Sequence, residues 1–150
     1  MQWIGATKES GRTLESDTAA FLLFVAGLLF FLEGIIHYDD FFVSSQVSAT
    51  ATTWALVLGN LVVGLLYFAL AYSCLQAPKS EDLFGFSLFF SGTLSGSYIA
   101  VEIVESVGPK FYFAEPFNYI HFVIGYGSVT IFVELLVAFF CYRVFRTLAA

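Results

Sequence analysis

Glu33, His37, Glu102, Glu105 and His121 are the residues whose types and spacing could do chemistry. In a helix, residues three or four apart share a face, so Glu33-x-x-x-His37 and Glu102-x-x-Glu105 each present two side chains together. His121 adds a third segment. Carboxylates combined with imidazoles are a ligand set for iron, manganese or zinc, and imidazole also suits copper. Helical bundles build such centres from facing side chains, often with a Glu-x-x-His step. That step is absent here, so the match lies in ligand type rather than in motif. Two histidines on separate segments, His37 and His121, also offer paired imidazole ligation of a b-type haem. Proton or cation movement is the third chemistry open to a cluster of buried carboxyls.

The stretch His121-Phe-Val-Ile-Gly125 resembles the haem-ligand helix in the cytochrome b anchor of succinate dehydrogenases, which implies an axial-ligand role for His121. The resemblance covers five residues. The chain lacks that family's downstream Arg-His pair, and its four apolar segments exceed the three usual there. Acidic neighbours would also repel haem propionates. Family membership is not inferred.

The segments that must position these residues are transmembrane helices. The chain has 150 residues, one domain by length, with 59% hydrophobic and 12% charged residues and a mean hydropathy of +0.83. Soluble domains are about 45–50% apolar. A chain this small cannot hide the surplus inside itself, so it must face lipid. About 20 helical residues cross the hydrocarbon. Four windows qualify, at about 18–37, 51–76, 83–105 and 116–142. Ser16 and Asp17 are expected to cap the first, Pro78 to stop the second and Gly108-Pro109 to end the third, with Pro116 in the first turn of the fourth. Connections of about 13, 6 and 10 residues imply an all-α, antiparallel up-down bundle over residues 18–150. Residues 1–17 read as an interfacial amphipathic segment.

Lys8, Arg12, Lys79, Arg143 and Arg146 fall on one side of this arrangement and Lys110 on the other. Positive-inside bias then places both termini on the cytoplasmic-equivalent side. A net charge of −6 argues against nucleic-acid binding, which needs a basic face. Cys74 and Cys141 form no CxxC arrangement, so neither a disulfide framework nor a cysteine-built zinc site is expected.

Each window carries a polar or small-residue stripe expected to face the bundle interior. The stripes are Ala26, Phe30, Glu33, His37; Asn60, Tyr67, Cys74; Ser91, Ser95, Tyr98, Glu102, Glu105; and Asn118, His121, Gly125, Ser128. At 1.5 Å per residue, Glu33 and Glu102 sit roughly 10 Å outward of their helix midpoints, and His37, Glu105 and His121 about one turn further out. Asp39, Asp40 and Glu115 lie just above. Glu134 stands apart near the middle of its window, turned roughly 140° from His121. It faces either Tyr67 or a partner subunit, as a proton-pathway or partner-contact residue. Gly92-x-x-x-Gly96, with Ser91 and Ser95, reads as a helix-packing seam, and Asn60 as an interhelical hydrogen bond.

No phosphate-binding glycine loop, nucleophile elbow or H-E-x-x-H motif is present. The expectation is a small non-catalytic membrane subunit of a larger complex, of respiratory or photosynthetic type, with other membrane subunits or further copies of itself as partners. A metal- or haem-binding redox protein and a small proton-coupled transporter or channel are the alternatives.

Overall fold

The computed structural model describes residues 12–44, 51–107 and 120–150, except the side chains at 40, 41, 44, 52, 53, 56, 98, 101–107 and 120–128. Among the described residues the fold is all-helical, without strands. Helix α1 is Leu14–Tyr38, α2 is Ala51–Gln76, α3 is Glu81–Val107 and α4 is Ile120–Ala149. A π-helical turn, Asp39–Ser44, continues α1 at its far end.

The start of α1 corrects the expected cap. Thr13, in extended conformation, is the N-cap. Its Oγ1 accepts from Ser16 N at 3.1 Å, while Ser16 Oγ accepts from Thr13 N at 2.9 Å. Ser16 thus does the work of the Glu or Gln usual at the third position of a capping box. Glu15 and Asp17 lie in the first turn, where negative charge suits the helix dipole. The helix therefore begins about a turn earlier than apolar content alone indicates. Helix α2 ends at Gln76, two residues before Pro78, and a tight turn leads to α3. Ser80 Oγ accepts from Leu83 N there. The expected stop at Gly108-Pro109 and the proline at 116 lie outside the described residues, as do residues 1–11 of the expected amphipathic segment.

Helix α1 packs along both α2 and α4, α3 packs along α4, and α2 meets α3 only lightly. The α1–α2 crossing is made by glycine. A Cβ on Gly64 would stand 2.9 Å from both Gly27 O and Phe31 N, and one on Gly27 would strike the Phe68 ring. The backbones can approach this closely only because neither residue has a side chain. Phe68 closes the crossing, with Phe24 and Phe31 at ring-centroid distances of 5.3 and 6.3 Å. Ala19, Ala20, Leu23 and Ala26 continue the buried face of α1. Val137, Cys141 and Val144 do so on α4, with Phe84 and Cys74 opposite.

What faces outward is unusual. Phe21, Val62, Tyr72, Phe86, Phe89 and Phe132 are each more than half exposed, and every helix carries such residues. Small and polar side chains share the interior with Leu23, Phe30, Tyr67 and Phe84, while many other large apolar side chains point outward, as they do not in a water-soluble bundle. Two helical stretches, Leu14–Tyr38 and Val57–Gln76, are long and apolar enough to cross a membrane.

Candidate functional site

Two carboxyl groups lie inside the packed helices, and both are held by hydroxyls. Glu33, on α1, is 8% exposed, and its Oε1 accepts a 2.7 Å hydrogen bond from Thr130 Oγ1 on α4. Glu134, one turn along α4 from Thr130, is fully buried. Its Oε1 lies 3.1 Å from Tyr67 Oη on α2, and the same Oη lies 3.1 Å from Ser91 Oγ on α3. All four helices therefore contribute to one polar region. Phe30 stacks on the Tyr67 ring at 5.6 Å and Phe90 meets it at 5.1 Å, which fixes the phenol in place.

The positions follow from helical spacing. Thr130, Glu134, Val137, Cys141 and Val144 form the buried stripe of α4, and Ser87, Ser91 and Ser95 that of α3. Ser95 Oγ returns to its own helix, donating to Ser91 O at 2.8 Å, so it satisfies itself without bridging. Ser87 Oγ is buried beside the Cys74 thiol without a well-formed hydrogen bond.

Proton counting shows what the network can do. A phenol has one hydrogen, so Tyr67 cannot donate to both neighbours at once. Either Ser91 donates to Tyr67 and Tyr67 to an ionised Glu134, or a protonated Glu134 donates to Tyr67 and Tyr67 to Ser91. The same heavy-atom positions accommodate both directions. Glu134 Oε2 has no hydrogen-bond partner. The Glu33 and Glu134 carboxyls are also near enough to repel one another when both are charged. The Lys and Arg side chains among the described residues are Arg12, Lys79, Arg143 and Arg146, all at the opposite end of the helices. There Arg143 pairs with Glu15 at 2.6 Å and Arg12 reaches Leu75 O at 2.9 Å. Burying an unpaired carboxylate costs several kcal/mol, roughly. Among the described residues no Lys or Arg lies in the network, so a proton or a bound cation is suited to balance its charge.

The structure sorts the residues expected to do chemistry. Glu33 bonds to Thr130, one turn along α4 from Glu134, so this one member of the expected outer cluster is placed near the mid-helix acid. Glu134 lies against Tyr67, one of the two placements open to it. His37 is half-buried one turn beyond Glu33. Glu102 and Glu105 fall within α3 and His121, Gly125 and Ser128 within α4, but their side chains lie outside those described, as does that of Tyr98. Asn118 and Glu115 lie outside the described residues altogether. Among the described residues no three His, Cys, Asp or Glu side chains gather as a metal-binding group. Asn60 is half-buried on α2.

Ser91 and Ser95 face inward, whereas Gly92 and Gly96 face outward, and a Cβ on either would meet nothing within 4 Å among the described residues. The close approach uses Gly27 and Gly64 instead. Thr130 is the site residue sequence reasoning missed. Its signal was available, since it stands four residues before Glu134 on the same helical face. No known protein family matches the chain, and neither a curated protein nor a solved structure is significantly similar to it.

Proposed function

We propose that this chain is a four-span integral membrane protein that carries protons through the Glu33–Thr130 and Ser91–Tyr67–Glu134 network, as a proton-coupled transporter or channel. The membrane reading is supported by the outward-facing apolar residues on all four helices. Helices α3 and α4, at 27 and 30 residues, also have the length to cross. Arg12, Lys79, Arg143 and Arg146 mark the cytoplasmic-equivalent end. Tyr38, Phe42 and Trp54 cluster at the opposite end, with Phe42 and Trp54 stacked at 4.5 Å, in keeping with an interfacial aromatic belt.

One observation carries the proton reading: a buried tyrosine hydroxyl between a buried serine and a buried glutamate, in a geometry that serves either direction of donation. Shifting the hydrogens along such a chain moves a proton's worth of charge without moving the heavy atoms. Intramembrane carboxyls of this kind mark proton relays in pumps and transporters. The test is reconstitution into liposomes under a potassium-diffusion potential, with an internal pH dye. Wild type should acidify or alkalinise the lumen according to the sign of the potential, and Glu134→Gln should reduce the flux to that of empty liposomes. Equal flux in both proteins, or none in wild type, would overturn the reading.

Membership of a larger membrane complex is favoured by a different observation. The Gly92–Gly96 edge of α3 is open and flanked by exposed Thr93 and Ser97, a small-residue surface of the kind against which a helix packs closely. Co-purification of a membrane partner lost on Gly96→Leu would establish it.

A further inference from the structure

The oxygen that the proton chain leaves unused points to a second occupant. Glu134 Oε2 is buried and has no partner, while Oε1 of the same group holds Tyr67. An unsatisfied carboxyl oxygen inside a protein costs free energy unless something sits against it. The polar side chains described in this network, Glu33, Thr130, Tyr67 and Ser91, all carry oxygen rather than nitrogen or sulfur. Thr130, one turn away on α4, gives its hydrogen to Glu33 and keeps its lone pairs. Tyr67 and Ser91 complete the set from α2 and α3. Cys141 and Cys74 lie nearer the basic ends of their helices, Cys141 two turns beyond Glu134, and Glu33 and Thr130 mark the other direction.

We infer that this site takes up a small, hard monovalent cation, with sodium as the representative, in exchange for the carboxyl proton of Glu134. The inference rests on the proton-carrying reading and names the ion coupled to it. Oxygen donors such as those of the described network select hard cations over the softer metals that favour nitrogen or sulfur. One displaced proton leaves one negative charge, which a monovalent ion balances and a divalent ion would exceed. The step conserves charge and atoms: the carboxylic acid O–H of Glu134 breaks, the proton leaves to water, and the carboxylate oxygens bind the cation. No oxidant or reductant is involved. Tyr67 can still donate to Oε1 of the ionised group, while Oε2 faces the cation. Among the described residues the titratable groups at the site are Glu33 from α1, Tyr67 from α2 and Glu134 from α4, with the Cys141 thiol near Tyr67. Ser91 faces it from α3, and His37 stands one turn beyond Glu33.

The experiment adds sodium chloride to the full chain in weakly buffered lipid nanodiscs and follows proton release with a pH dye, using choline chloride at equal ionic strength as reference. Metal-ion binding to a protonated ligand releases protons. Wild type should release about one proton per chain with sodium and none with choline. Glu134→Gln, which keeps the side chain's shape, should fall to the choline level, while Glu15→Gln at the far end should release as wild type does. Release that is equal for the two salts, or that survives in Glu134→Gln, would overturn the inference. Proton flux measured on the same preparation in sodium-free, potassium-loaded liposomes separates the two readings. Flux without sodium-linked release removes the cation alone, and loss of both in wild type removes both.

Discussion

The α1–α2 crossing and the Glu134 network lie side by side in the same packed helices and solve opposite problems. At the crossing, Gly27 and Gly64 bring two backbones together, and the gap is too tight for a single methyl group. At the network, side chains from all four helices keep an unsatisfied oxygen buried. The first region gains dispersion contacts by removing atoms, so its geometry has one solution. The second holds polar atoms whose hydrogens can be arranged in two ways, which costs stability and permits function. If, as proposed, the large apolar residues face lipid, apolar burial does little to hold the helices together. A rigid glycine crossing can then be what keeps a switchable polar network in register.

That contrast can be broken at its rigid half with the largest effect. Gly64→Val should destabilise the fold by about 3 kcal/mol or more, because the new atoms meet the backbone of Gly27 and Phe31 rather than a side chain that can turn aside. Thermal unfolding in detergent should show a lower midpoint or no folded protein. Gly92→Ala should leave that midpoint close to wild type, since nothing lies within 4 Å of the added group.

At the polar half the expected effects on stability are smaller and those on function larger. Thr130→Val keeps the volume and removes the 2.7 Å hydrogen bond to Glu33, which should cost about 1–3 kcal/mol by leaving a buried carboxyl oxygen without its donor. Tyr67→Phe should cost about 1 kcal/mol and cut proton flux as severely as Glu134→Gln, because it removes the hydroxyl through which Ser91 and Glu134 communicate. The ring stacking on Phe30 survives that change, so circular dichroism should remain that of wild type.

Glu15→Gln should have the smallest effect. Its partner Arg143 is half-exposed, and exposed pairs contribute about 0–1 kcal/mol, less in salt. A loss that persists at high salt would mean that this end contributes more to the architecture than the crossing-and-network contrast allows.

Much of the arrangement was legible in the sequence where local chemistry decides it. The bounds of α2 follow from its apolar length and from Pro78. The inward row of Ser91 and Ser95 follows from helical periodicity, whereas the sequence leaves Glu134 open between Tyr67 and a partner subunit. What resisted reading depended on which helices are neighbours. Depth groups Glu33 with Glu102 and Glu105, whose side chains lie outside those described, and does not reveal its bond to Thr130, because depth alone does not say which helix face meets which. Gly92-x-x-x-Gly96 and the Gly27–Gly64 contact are both glycine seams in principle. Only the second pair stands where two helices cross, and periodicity within one helix carries no information about the other. The start of α1 was placed late because Ser16 was read as the cap itself rather than as the third residue of a box begun by Thr13.

The most direct test of the central claim is infrared difference spectroscopy of the chain in lipid, wild type against Glu134→Gln, as pH is stepped in sodium-free buffer. The account predicts a carboxylic acid band that converts reversibly to carboxylate, exchanges in deuterated water, shifts in Tyr67→Phe and is missing in Glu134→Gln. Identical spectra from wild type and Glu134→Gln throughout the titration would contradict it, because Glu134 would then hold no exchangeable proton for the network to carry.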